Sequence, residues 1–140
     1  MLVKEIMSKN VITINQHKTV LEASKLYQEY KVGCLVVVNE QRNIVGIVTE
    51  RDFIERTICL LKNPETTLVS DIMSTNILTI HALDTVDKAL QLMKNHDVKK
   101  LPVLYNEGLA GIITVTDISR ARPALSKRFM DTWVKPEWED

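Results

Sequence analysis

The sequence predicts an α/β (α+β) fold made of two βαββα halves that face each other about a pseudo-two-fold axis. Three observations predict it. First, Val3-Lys4-Glu5-Ile6-Met7-Ser8-Lys9-Asn10-Val11-Ile12-Thr13-Ile14 returns 66 residues later as Val69-Ser70-Asp71-Ile72-Met73-Ser74-Thr75-Asn76-Ile77-Leu78-Thr79-Ile80. Second, Gly46-Ile47-Val48-Thr49-Glu50-Arg51-Asp52 returns as Gly111-Ile112-Ile113-Thr114-Val115-Thr116-Asp117, now 65 residues later, so one residue has been lost in between. Third, each copy holds the same alternation of helical periodicity and short apolar runs. A unit present only twice is not a solenoid, which needs three or more stacked repeats.

Each copy resolves in the same order. Val20, Ala23, Leu26, Tyr27 and Tyr30 are spaced for one face of a helix, as are Val86, Ala89, Leu90 and Met93. Thr19-Val20-Leu21-Glu22 has the form of a capping box opening the first helix. The runs Leu35-Val36-Val37-Val38 and Leu101-Pro102-Val103-Leu104 read as strands buried on both faces. Turns at 39–43 and 105–108 follow, and the lost residue falls there, where length changes are cheapest. The strands Ile44-Val45-Gly46-Ile47-Val48 and Leu109-Ala110-Gly111-Ile112-Ile113 complete two hairpins. A second helix then runs from Arg51 towards Leu61 in one copy and from Thr116 towards Ala121 in the other. Pro64 and Pro123 end the copies, since proline cannot continue a helix. The expected divisions are a first repeat over 1–62, a linker over 63–68, a second repeat over 69–122 and a tail over 123–140.

Composition narrows the function classes. The chain is 45% hydrophobic and 26% charged, which is globular, and its 18 basic and 18 acidic residues cancel. Zero net charge gives no long-range pull towards nucleic acid or acidic lipid. No apolar stretch reaches the roughly 20 residues of a membrane span, and the N-terminus lacks a signal-peptide pattern. A cytoplasmic location is expected. Cys34 and Cys59 show neither metal nor redox spacing and read as small apolar residues. His17, His81 and His96 are scattered. His81-Ala82-Leu83-Asp84 with Asp87 has the residue types of a metal site, but its two aspartates are better placed to favour a helix N-terminus. With no catalytic serine motif, Walker loop or dinucleotide fingerprint, no catalytic and no metal-binding residues are expected. The chain reads as a non-enzyme.

The repeated Thr-x-x-Asp carries the chemistry. It falls at a strand-to-helix junction, where unpaired backbone N–H groups favour an anion such as phosphate. The threonine hydroxyl can donate to phosphate or ribose. The aspartate only accepts, and its two oxygens suit a pair of ribose hydroxyls. An equally physical reading makes Thr49 and Thr114 N-caps, with Asp52 and Asp117 closing capping boxes. The two roles are compatible.

The order of elements, the doubling and the pattern Gly-apolar-apolar-Thr-x-x-Asp closing each copy resemble a tandem pair of CBS domains, often called a Bateman module, over residues 3–122. The resemblance implies halves packed sheet to sheet, clefts that bind adenosyl ligands, and frequent pairing into a disc-like homodimer. AMP, ADP or ATP are the ligands expected first, with S-adenosylmethionine as another member of the class. In that family each cleft draws Thr-x-x-Asp from one repeat and the strand entry from the other. The first cleft would then combine Thr49, Arg51 and Asp52 with Thr79, Ile80, Val98, Lys99 and Lys100. The second would combine Thr114, Thr116 and Asp117 with Thr13, Ile14, Val32, Gly33 and Cys34. The backbones of Ile14 and Ile80 would border the base.

Charge separates the two sets. Arg51, Lys99 and Lys100 in the first match Thr116, Gly33 and Cys34 in the second, so a phosphorylated ligand is expected to prefer the Asp52 cleft. For Arg51 the rival reading is a surface ion pair with Glu55, and for the lysines a solvated pair at a strand start. The tail holds both tryptophans, Trp133 and Trp138, and is expected to pack on the module or on a dimer partner. The function expected is a regulatory adenosyl-nucleotide sensor that signals to a separate, unidentified effector protein. The rivals are a structural dimerisation module with empty clefts, an S-adenosylmethionine-type module, and a nucleic-acid-binding member, which zero net charge disfavours.

Overall fold

Short-range hydrogen bonds set the ends of the helices, and the rest of the fold follows from where their apolar faces go. A computed structural model of the chain describes residues 1–125 and 127. The elements run α1 (Val3–Ile6), β1 (Thr13–Asn15), α2 (Val20–Tyr30), β2 (Cys34–Val38), β3 (Ile44–Thr49) and α3 (Glu50–Phe53), which continues as a wide turn over Ile54–Ile58. Then come α4 (Val69–Ile72), β4 (Ile80–His81), α5 (Val86–His96), β5 (Lys100–Tyr105), β6 (Gly108–Thr114) and α6 (Val115–Ala121). The described residues form a mixed α/β protein with two three-stranded sheets, β1-β2-β3 and β4-β5-β6. In each, the first strand is parallel to the second and the second antiparallel to the third.

These residues form two compact units, and the units are cut differently from the sequence repeats. One, the inner unit, is Val11–Ile77; the other, the split unit, joins Met1–Asn10 to the chain from Leu78 onward. In the inner unit, Ile14, Val20, Ala23, Leu35, Val37, Val48, Val69 and Ile72 form the core, so α4 from the start of the second sequence repeat packs on the first. Its leading N–H groups, which a helix cannot satisfy internally, donate to Lys18 O (2.8 Å) and Gln16 O (3.0 Å). Just past its end, Ser74 and Ile47 exchange backbone hydrogen bonds of 2.9 and 3.0 Å.

The split unit repeats this with α1. Val3 N–H donates to Asp84 O (2.8 Å), Lys4 N–H to Ala82 O (2.9 Å), and Ser8 exchanges bonds with Ile112 (2.8 and 2.9 Å). Val3 is fully buried among Val86, Ala89, Met93, Leu101, Val103 and Ile113. Each repeat therefore lends its opening helix to the unit built on the other repeat. Residues 63–68, expected as a linker, are bonded to the start of α2: Val20 N–H donates to Thr67 O and Leu21 N–H to Pro64 O.

Local chemistry sets the helix boundaries. Thr19 Oγ1 accepts from Glu22 N–H at 3.1 Å, the expected N-cap of α2, and Thr85 Oγ1, which the sequence reading did not single out, accepts from Lys88 N–H at 3.1 Å and caps α5. Both helices end on a non-glycine residue in the left-handed region, Lys31 (φ 51°) and Asp97 (φ 52°). The helix expected from Arg51 towards Leu61 is not regular. Its hydrogen bonds slip to i→i+5, Cys59 N–H to Ile54 O and Lys62 N–H to Thr57 O, the signature of a π-turn, a feature that is frequent at functional sites. The expected tail, with Trp133 and Trp138, lies outside the described residues beyond Leu125 and Lys127.

Candidate ligand-binding residues

In the inner unit the sheet topology collects one end of each strand. Because β1 and β2 are parallel and β3 returns, the starts of β1 and β2 and the end of β3 lie at the same edge, with Cys34 opposite Thr49 and Thr13 opposite Val36. Thr49 is extended (φ −115°), and α3 begins after it. Its N–H donates to Asp52 Oδ2 at 2.9 Å and its hydroxyl to the same oxygen at 3.3 Å. Asp52 is only 7% exposed. The other carboxylate oxygen, Oδ1, lies 3.7 Å from Arg56 Nε. That guanidinium also donates through Nη1 to Ile72 O (3.1 Å) and Met73 O (3.0 Å), closing the C-terminal end of α4.

Tyr27 braces the same edge from α2. Its one hydroxyl proton is donated to Val48 O at 2.7 Å and shared at longer range with Gly33 O at 3.3 Å, so the phenol sits between the strand entry of β2 and the exit of β3. Its ring meets Phe53 edge to face, centroids 5.0 Å apart. Burial pushes the phenol well above its usual pKa, with Cys34, Glu50 and Asp52 adding to the shift. The hydroxyl therefore remains a donor throughout the neutral range.

The split unit has the same junction with different fittings. Thr114 N–H donates to Asp117 Oδ2 (2.9 Å), and Asp117 N–H returns the bond to Thr114 Oγ1 (3.1 Å), a reciprocal capping box. Lys100 pairs with Thr114 across the ladder, and Val115 N–H donates to Lys99 O at 3.0 Å, so the strand entry 98–100 sits beside this junction. Asp117 is half-buried, and no cation pairs with it among the described residues. Alanine, Ala121, stands where the other repeat has Arg56. At the place of Tyr27 stands Met93, fully buried.

The residues expected for each cleft thus fall in both units. Thr49, Arg51 and Asp52 belong to the inner unit, and Thr79, Ile80, Val98, Lys99 and Lys100 to the split unit. Thr114, Thr116 and Asp117 lie in the split unit, and Thr13, Ile14, Val32, Gly33 and Cys34 in the inner one. What each unit places side by side is the junction and strand entry of its own repeat. The Thr114 capping box is reciprocal, and at Thr49 the N–H and hydroxyl both donate to Asp52 Oδ2, so the carboxylate closes the helix start in each copy. Arg51 makes the ion pair expected as its rival role, Nε to Glu55 Oε1 at 2.8 Å, with its side chain 80% exposed. Such a pair contributes little energy. Asp84 accepts from His81 N–H (3.0 Å) and pairs with Lys88 (3.1 Å), and the His81 N–H bond, with Lys88, holds its carboxyl below the usual range. Sequence reasoning missed Arg56 and the hydroxyl of Tyr27. The repeat itself held a signal for both, since each is a place where the copies differ.

Comparison with known proteins agrees with the repeat. The CBS domain model matches the chain twice, over residues 3–58 and 69–124. The uncharacterized protein MK0525 of Methanopyrus kandleri is 34% identical over 88% of this chain, which spans 63% of that protein's length. The crystal structure of the CBS domain pair of protein MJ0100, in complex with 5′-methylthioadenosine and S-adenosyl-L-methionine, is 30% identical. It superposes with a TM-score of 0.77 over 89% of this chain and 98% of that one. A hexameric CBS-CP12 protein from bloom-forming cyanobacteria is 32% identical with a TM-score of 0.77, over 84% of this chain and 66% of that one.

Proposed function

Because the chain belongs to the CBS-domain family and carries the domain twice in tandem, we propose that it is a regulatory, non-enzymatic module that binds an adenosyl ligand and reports its presence to a separate protein. The observation that carries this reading is the Asp52 carboxylate. It is buried at a strand-to-helix junction, and Thr49 bonds one of its oxygens while the other lies 3.7 Å from Arg56 Nε, too far for a hydrogen bond. A carboxylate in that position accepts ribose hydroxyls, and Asp117 has the same place in its own repeat. The backbones of Ile14 and Ile80 border the base. Lys99 and Lys100 supply cations for phosphate, which favours AMP, ADP or ATP over an uncharged adenosyl group. Ligand shifts the module only by the difference in its affinity for two conformations. The adenosyl compounds bound to the MJ0100 pair support this ligand class.

Thermal unfolding with AMP, ADP, ATP and S-adenosylmethionine tests the reading. A ligand at about 100 times its Kd stabilises the folded state by about 2.7 kcal/mol, which is several degrees for a chain of this size. No shift with any of the four would leave a purely structural module.

A second observation favours self-association. Ile54, Ile58 and Leu61 follow one another along the π-turn and beyond it with exposures of 53, 67 and 93%, an apolar stripe of the kind that marks an interface. The matching places in the other repeat include Ser119 and Pro123. We propose that two copies pair through this stripe. Sedimentation should give twice the chain mass for the native protein and the single-chain mass for Ile58→Glu; a single-chain mass for both would overturn the pairing.

A further inference from the structure

Among the differences between the Asp52 and Asp117 junctions is a cation beside the carboxylate, Arg56, and the geometry of that cation is specific. Arg56 lies four residues beyond Asp52, inside the π-turn. Its Nη1 is tied to two carbonyl oxygens, those of Ile72 and Met73, at 3.1 and 3.0 Å. Its Nε is left 3.7 Å from Asp52 Oδ1, beyond hydrogen-bond reach and within range of charge attraction. The Nη1 end of the guanidinium is therefore held on these carbonyls, and Nε makes no hydrogen bond to Oδ1. Meanwhile Thr49 N–H fixes Oδ2. Held on one side by a hydrogen bond and on the other by an anchored charge, the carboxylate has its rotation about Cβ–Cγ restricted while Oδ1 keeps its acceptor capacity. Asp117 has the hydrogen bond and lacks the guanidinium, since Ala121 stands at the matching place.

We propose that Arg56 is a positioning residue for ribose recognition: anchored on the carbonyls of Ile72 and Met73, it aims Asp52 Oδ1 at the ribose hydroxyls and makes the Asp52 junction the more ribose-selective of the two. The inference rests on the reading of Asp52 as the ribose acceptor. A ribose presents two hydroxyls to the carboxylate and a 2′-deoxyribose only one. An oriented charged acceptor converts that difference into affinity, whereas a carboxylate free to rotate follows the remaining hydroxyl and discriminates less.

The test compares AMP with 2′-deoxy-AMP by calorimetry in an Asp117→Ala background, so that only the Asp52 junction is read. The parent should prefer AMP by about tenfold, the size of one hydrogen bond to a charged group. Arg56→Gln should lower that ratio to about two- to threefold, with Arg56→Lys between the two because an ammonium keeps the charge and loses the planar fork. A role confined to stability would lower the melting temperature and leave the ratio alone. An unchanged ratio in Arg56→Gln, together with loss of the preference in Asp52→Ala, overturns the inference and leaves the ribose reading standing. A preference that survives Asp52→Ala, or a parent that binds neither nucleotide, overturns both. Where Arg56→Gln does not fold, Arg56→Lys decides: a ratio below the parent's supports the inference, and a ratio equal to it overturns it.

Discussion

Replacement of Gly111 by alanine should destabilise the protein by about 1–3 kcal/mol, the usual cost of overpacking a tight site. A Cβ at Gly111 would lie 2.6 Å from Ser8 O, with Met7 Sδ at 2.9 Å. The first of these neighbours is backbone, and it accepts Ile112 N–H at 2.9 Å. Making room means breaking the two-bond bridge that joins the α1 segment to β6, at about 1 kcal/mol for each bond lost. Gly46 is the same position in the other repeat, and the three atoms nearest a Cβ there all belong to the Met73 side chain: Sδ, Cγ at 2.8 Å and Cβ at 3.0 Å. The thioether and Cγ can turn aside by rotation, whereas Met73 Cβ, fixed to its backbone, must give by a few tenths of an ångström. Gly46→Ala should therefore cost less than Gly111→Ala, and adding Met73→Ala should relieve part of it, whereas Met7→Ala should leave the Gly111→Ala penalty nearly intact. Urea unfolding of the four single and two double variants measures this as shifts in midpoint at constant slope. Equal costs at the two glycines would show that the Ser8 carbonyl yields easily and that the bridge contributes little.

The Gly–Met contacts also show where sequence reasoning reached its limit. Hairpins, helices and caps were legible because each is written in neighbouring residues: Thr19 with Glu22, Thr49 with Asp52, and the 3-and-4 spacing of Val86, Ala89, Leu90 and Met93. The exchange of α1 and α4 was not, because it is a long-range choice. Met7 and Met73 stand in identical motifs, and nothing local tells either which glycine it will meet. Lys31 and Asp97 ended their helices without the glycine that usually marks a left-handed cap, so the ends could be placed only by the strands that follow. The π-turn has no compositional sign, since Ile54–Ile58 reads as ordinary helix. Of the ligand-binding residues, the Thr-x-x-Asp junctions were legible as a repeated motif. The side chains that distinguish them, Arg56 and Tyr27, lie outside the motif: the repeat marks both as places where the copies differ, but the carbonyl oxygens they act through leave no trace in residue identity.

Asp52→Ala should be the more damaging of the two aspartate substitutions, in stability and in binding together. At Asp117 the loss is the one bond from Thr114 N–H, about 0.5–1.5 kcal/mol, since Thr114 remains as the N-cap. At Asp52 the bonds from both the N–H and the hydroxyl of Thr49 are lost from a residue only 7% exposed, leaving the Thr49 N–H without its carboxylate partner and Arg56 without its facing anion. Breaking a buried pair is strongly destabilising, but the Arg56 side chain is 48% exposed, and water screens it in part. The expected total is about 1–3 kcal/mol. Asp52→Asn separates the parts: an amide oxygen can still accept from Thr49 N–H, so it should recover roughly half of the loss. The charge-dependent attraction for ribose hydroxyls should be gone from both variants. The stabilisation conferred by an adenosyl nucleotide should thus fall in Asp52→Asn as far as in Asp52→Ala, although the unliganded proteins differ in stability. If binding instead tracks stability across wild type, Asp52→Asn and Asp52→Ala, the carboxylate acts only as a cap, and the ligand is held elsewhere.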